Sequence, residues 1–176
     1  MEMKTKWLGF VSLFVLILTT LWIVLLIVDQ VNAGPLETFE QLLTHVASLN
    51  TVFYLAYINA ALITLGDTIL GVGLYLYCKR AHPTWSLVGL VFVPVYCTMN
   101  LTVYLSQITL IPYLLELRGV AGYQTMAEMI LRLTISQWQV SAMAFFNGLA
   151  YALFGIPSLI WVCFICFSNH LSGQWE

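Results

Sequence analysis

The chain has 176 residues, of which 61% are hydrophobic and only 8% charged, with a formal net charge of −2. Soluble domains carry about 25% charged residues, so this chain cannot cover a core with polar surface, and lipid must be much of its solvent. The slight acidic balance and the absence of a basic run exclude a nucleic-acid partner and a polybasic patch for anionic lipid.

After a short start carrying Lys4 and Lys6, residues 7–28 form an uninterrupted apolar or hydroxylic run. At about 1.5 Å per residue this is enough for one membrane span. A signal peptide is the competing reading, because Val31-Asn32-Ala33 has the small-residue pattern of a cleavage site. The run exceeds the roughly 7–15 residues of a signal core, so a retained first helix is expected. Residues 29–50 are the first polar connection, broken at Gly34-Pro35. Beyond the break, residues 36–49 read as an amphipathic helix. Leu36, Phe39, Leu43, Val46 and Leu49 share one side, and Glu37, Gln41 and His45 share another. The polar side is expected to be solvated, since Glu37, Glu40 and His45 match no metal-ligand spacing.

The second span, residues 51–77, ends in the basic turn Cys78-Lys79-Arg80-Ala81-His82-Pro83-Thr84, where Pro83 stops the helix. A third apolar stretch starts at Trp85 and runs to about Leu117. Its span is assigned to residues 85–110, and the excess length predicts a tilt, a kink at Pro94 or a projection past the membrane near Pro112. The second polar connection turns at Gly119 and Gly122. Tyr123 to Ile135 then reads as another amphipathic helix, with Met126, Met129, Ile130 and Leu133 apolar and Glu128 and Arg132 at the favourable i, i+4 spacing. The last span covers residues 140–167 and contains Pro157; a short polar tail follows.

Basic residues set the expected orientation. Lys4, Lys6, Lys79 and Arg80 mark the amino terminus and the connection between spans two and three as cytoplasmic. Both termini are then cytoplasmic, and the two amphipathic helices lie on the outer side of a plasma membrane.

Asp67 stands near the middle of span two, where charging a carboxylate costs roughly 2.5–3.5 kcal/mol on insertion scales. No lysine, arginine or histidine lies inside any span to pair with it. The available partners are amides: Asn59 on the same span, Asn100 on span three and Asn147 on span four. In the antiparallel topology all four come within about 12 Å of one another in depth, which predicts a polar centre. Asn59, Gly66 and Gly73 repeat every seven residues and form one packing seam; Asn100 and Gln107 share that spacing, and Ala144, Gly148 and Ala152 make a small-residue ridge.

Four cysteines lie in or beside apolar runs and read as reduced thiols acting as small hydrophobes. Cys163 and Cys166 have the spacing of a redox pair, but His170, a turn later, is the one candidate cation beside them and an outward loop holds no second pair. Asn100-Leu101-Thr102 matches a glycosylation acceptor but lies inside a span. With no phosphate loop, zinc motif, haem-ligand pair or nucleophile elbow, no catalytic residue, metal or cofactor is expected.

The expected fold is therefore all-α: an integral membrane four-helix bundle, one domain, with two short amphipathic helices on the outer side. The favoured function is a multi-pass protein that binds or passes a small polar ligand, proton or cation around Asp67, Asn59, Asn100 and Asn147. The alternatives are a structural or accessory subunit docked to other membrane subunits, and a thiol oxidoreductase using Cys163 and Cys166.

Overall fold

The computed structural model describes the backbone of residues 2–172 and the side chains of residues 6–163. Among the described residues there are six helices and no strand: α1 Glu2–Ala33, α2 Phe39–Ala47, α3 Thr51–Cys78, α4 Pro83–Arg118, α5 Gln124–Thr134 and α6 Ala142–Ser172. The chain is all-helical, and α1, α3, α4 and α6 are each long and apolar enough to cross a membrane.

Local signals explain where the helices begin. Thr38 caps α2 in a reciprocal box: its hydroxyl accepts from Gln41 N at 3.3 Å, and Gln41 Oε1 accepts from Thr38 N at 3.0 Å. Asn50 caps α3 by accepting from Phe53 N at 2.8 Å. Between them Leu49 turns the chain at φ 42°, in the left-handed region that usually takes glycine. Pro83 opens α4, where a missing N–H costs nothing, and the Ser141 hydroxyl accepts from Ala144 N at 3.0 Å to open α6.

The long helices stand in file. α1 packs chiefly on α3, α3 on α4 and α4 on α6, with a smaller contact between α3 and α6. The expected bundle is thus open along α1, which is apolar on every side and has no stripe to direct it inward. What holds α1 is the seven-residue seam on α3. The Asn59 amide donates to Leu18 O at 2.8 Å, and Gly66 and Gly73 make room for Val15 and Leu8. A Cβ built on Gly66 would lie 2.7 Å from Val15 Cγ2.

α4 and α6 meet through a different device. Trp161 is buried and lies against Gly89 of α4 and Gly71 of α3, where a Cβ would approach its ring to 3.1 and 3.4 Å. The ridge expected at Ala144, Gly148 and Ala152 does not serve this contact: Gly148 and Ala152 are exposed, and nothing lies within 4 Å of a Cβ on Gly148. The buried face of α6 instead carries Ala150, Pro157 and Trp161, because the large ring fills the notch left by two glycines on the facing helices. Gly89→Leu is expected to expel Trp161 and destabilise the protein by about 1–3 kcal/mol. Denaturant titration in mixed micelles measures the loss, with Gly148→Leu as a near-neutral control.

At its 36 residues, α4 is about 54 Å long against a hydrocarbon core of about 30 Å. It runs as one helix through Pro94 and Pro112, and its far end carries a cap made by α2 and α5. Phe39, Leu42, Leu43 and Val46 of α2 join Phe53, Ile111, Leu114 and Leu131 in the largest apolar cluster. On α5 the buried positions are Ala127, Leu131 and Thr134, while Met126, Met129 and Leu133 point outward. The expected Glu128–Arg132 pair forms at 2.9 Å, and Arg132 also lies over the Phe39 ring at 4.2 Å.

Candidate functional site

Asp67 lies midway along α3, half-buried, and its Oδ2 accepts a hydrogen bond from the Tyr96 hydroxyl of α4 at 2.8 Å. The hydroxyls nearest it on α3 are occupied elsewhere: Thr64 donates to Ala60 O at 3.0 Å and Thr68 to Thr64 O at 2.8 Å. Such back-bonding satisfies a hydroxyl within its own helix. The donor to Asp67 therefore comes from the neighbouring helix. Tyr96 is fully buried, stacked on Phe154 at 4.2 Å and edge-on to Tyr151 at 5.8 Å.

A file of hydroxyls continues from Tyr96 toward the α2/α5 end. Tyr151 Oη lies 2.8 Å from Tyr104 Oη, and Tyr104 donates to Asn147 Oδ1 at 3.1 Å. The Tyr57 ring is 6.3 Å from that of Tyr104, and its hydroxyl lies 2.9 Å from Ser136 Oγ.

Asn100 stands one turn from both Tyr96 and Tyr104 on α4. It is fully buried, and neither its Nδ2 nor its Oδ1 closes a hydrogen bond of good geometry. The Tyr96 and Tyr151 hydroxyls lie beside it. An unpaired buried polar atom costs about 1–3 kcal/mol, and the two phenols beside Asn100 are engaged elsewhere, Tyr96 with Asp67 and Tyr151 with Tyr104. Gln107, seven residues on, is the contrast. It is equally buried but donates to Thr134 O at 2.8 Å and accepts from Ser136 N at 3.1 Å, tying α4 to the connection between α5 and α6.

Of the four residues expected to form the polar centre, the structure brings Asp67, Asn100 and Asn147 onto one tyrosine-lined file. Asn59 faces α1 instead, where its amide is held by the Leu18 carbonyl. The tyrosines are what sequence reasoning missed. Their signal is the stripe Tyr96, Asn100, Tyr104 at four-residue spacing, which puts two hydroxyls and an amide on one face of α4.

A second polar cluster lies at the α2/α5 end. His45 Nε2 is 3.0 Å from Asp29 Oδ1, both side chains being 11% exposed, and Gln137 Nε2 donates to Asp29 Oδ2 at 3.3 Å. The expectation of a solvated His45 is corrected here. α2 lies across the end of α1, so the side of α2 assigned to water meets an α1 carboxylate. The carbonyl oxygen of Gln137 is buried without a partner. Beside the pair, an open depression of about 420 Å³ is lined by His45, Thr44, Gln41, Leu36 and their neighbours.

Among the described residues no three His, Cys, Asp or Glu side chains converge as a metal site. Cys78 is buried, Cys97 half-buried and Cys163 exposed, all three as free thiols. Cys166, the other half of the possible redox pair, lies outside the described side chains. No protein-family model, curated protein or solved structure matches the chain.

Proposed function

We propose that this is a multi-pass plasma-membrane protein, with both termini cytoplasmic and α2 and α5 outside, that binds or passes a small polar ligand, proton or cation at Asp67. The observation that carries this reading is the fully buried, unpaired amide of Asn100 next to the Tyr96–Asp67 hydrogen bond. A carboxyl serving only as helix glue needs a partner and has one in Tyr96. Glue does not account for two further polar atoms left unsatisfied beside it, whereas a site that takes up a polar guest does.

The test is flux into proteoliposomes loaded with proton-, sodium- or potassium-sensitive dye under an imposed gradient. Wild-type protein is expected to carry at least one of these ions, with Asp67→Asn lowering that flux tenfold or more. Equal flux in the two proteins, or none above empty vesicles for every ion, would overturn the reading.

The accessory-subunit reading keeps one specific support. The ridge Gly148 and Ala152 is exposed along α6, as an unoccupied helix-docking face would be. It predicts that a stable membrane partner co-purifies in mild detergent and is lost in Gly148→Leu.

A further inference from the structure

We propose that Asp67 exchanges protons with the outer face along the hydroxyl file Tyr96, Tyr151, Tyr104 and Tyr57, with the Asp29–His45 pair at its mouth. The inference rests on reading Asp67 as the functional site, and it names the proton as the guest and the outer end as the route.

Geometry supplies the file. Tyr96 donates to Asp67 at 2.8 Å, and Tyr151 lies beside Tyr96 and 2.8 Å from Tyr104. Two steps are ring contacts without a direct hydrogen bond: Tyr151 stands edge-on to Tyr96 at 5.8 Å, and Tyr57 packs against Tyr104 with ring centroids 6.3 Å apart. The Tyr57 hydroxyl lies 2.9 Å from Ser136 Oγ, and the next residue, Gln137, donates to Asp29, which is also held by His45 from α2. His45 in turn lines the open depression at that end. From Asp67 to Tyr57 the route covers ten residues of α3, about 15 Å of depth.

The packing selects the guest. Tyr96 and Tyr104 are 0% and 3% exposed while Tyr151 is 42% exposed at the outer surface of the helices, so the file is a row of side chains in contact rather than a pore. A hydrated sodium or potassium ion has no room to follow it. A proton needs only hydroxyls, because each phenol is both donor and acceptor. As one proton arrives at a tyrosine oxygen, that residue's own proton leaves for the next, Tyr104 first turning its hydroxyl from Asn147 to Tyr151, so every phenol is neutral before and after. The net change is one proton taken from the outer aqueous phase, hydronium becoming water, and one gained by Asp67, carboxylate becoming carboxylic acid.

The test is infrared spectroscopy of the whole protein in lipid vesicles. The protonated-carboxyl band that disappears in Asp67→Asn is followed through transfer from H2O to D2O, at a pH where it is present. Its exchange is expected to slow at least tenfold in Tyr104→Phe and in Tyr57→Phe, each of which removes one oxygen, and to be unchanged in Tyr113→Phe, an exposed tyrosine off the file. Unaltered exchange in Tyr104→Phe and Tyr57→Phe would overturn the route while leaving Asp67 an accessible site. A band that never exchanges, or no band lost in Asp67→Asn at any pH, would overturn the proton itself. Sodium and potassium flux through Asp67 is judged separately, in the dye-loaded vesicles.

Discussion

Asn100→Leu is expected to make the protein more stable, by about 1–3 kcal/mol, and at the same time to abolish the Asp67-dependent signal. Leucine is close to asparagine in shape and removes two buried polar atoms that have no partner of good geometry. The neighbouring hydroxyls lose little, since Tyr96 keeps Asp67 and Tyr151 keeps Tyr104. Denaturant titration in mixed micelles measures the first effect, and flux in dye-loaded vesicles the second. Opposite signs in the two measurements are what a site retained for function requires, because its polar groups are tuned to a guest rather than to each other. A loss of stability would mean that Asn100 is ordinary interhelical glue, and the support it lends to the Asp67 site would go. Gln107→Leu supplies the control for that outcome. It removes a satisfied amide and orphans Thr134 O and Ser136 N, so it is expected to destabilise.

The contrast between these two amides shows which parts of the molecule were legible from residues alone. Span lengths and the helix class follow from hydropathy, and the Asn59, Gly66, Gly73 seam follows from a seven-residue repeat, because a repeat of that period must lie along one side of a helix. Which helix covers the seam does not follow. α1 carries no polar or small-residue stripe of its own, and it is recognised as the partner only when its Leu18 carbonyl meets Asn59. Counting residues along the spans groups the polar side chains and does not give their direction. Asp67, Asn100 and Asn147 were placed at similar depth by counting residues, yet Asn59, equally close in depth, turns to the other side of α3. Tyrosines were the largest omission. In a membrane sequence a tyrosine reads as an interfacial belt residue; the four-residue spacing with Asn100 is a signal for Tyr96 and Tyr104, and no such spacing marks Tyr57 or Tyr151. Ala144, Gly148 and Ala152 failed for the converse reason: small residues permit close approach, but a ring such as Trp161 facing two glycines can take the contact instead.

Asp29→Leu is expected to cost about 3–5 kcal/mol, the largest loss from any single change at the α2/α5 end. Removing one member of a buried pair leaves the other without compensation, and here both the His45 ring nitrogen and the Gln137 amide lose their acceptor. The same carboxylate ties the end of α1 to α2 and to the segment before α6, the last two being joined also by the edge-on contact of Phe39 with Trp138 at 5.4 Å. The double variant Asp29→Leu/His45→Leu is expected to recover at least about 1 kcal/mol relative to the sum of the single changes, since neither partner then remains unpaired. Salt separates this pair from its neighbours. The Arg118, Arg132, Glu40 and Glu128 network lies on the surface, with 32–61% of each side chain exposed, and such pairs are worth little and are screened. Raising the salt concentration from low to molar should therefore erase any effect of Glu40→Gln while leaving the Asp29–His45 coupling nearly unchanged. A coupling that vanished with salt, or single variants whose losses simply added, would show that Asp29 and His45 are independently solvated. It would also remove the mouth from the route to Asp67, because Asp29 would no longer be tied to the depression that His45 lines.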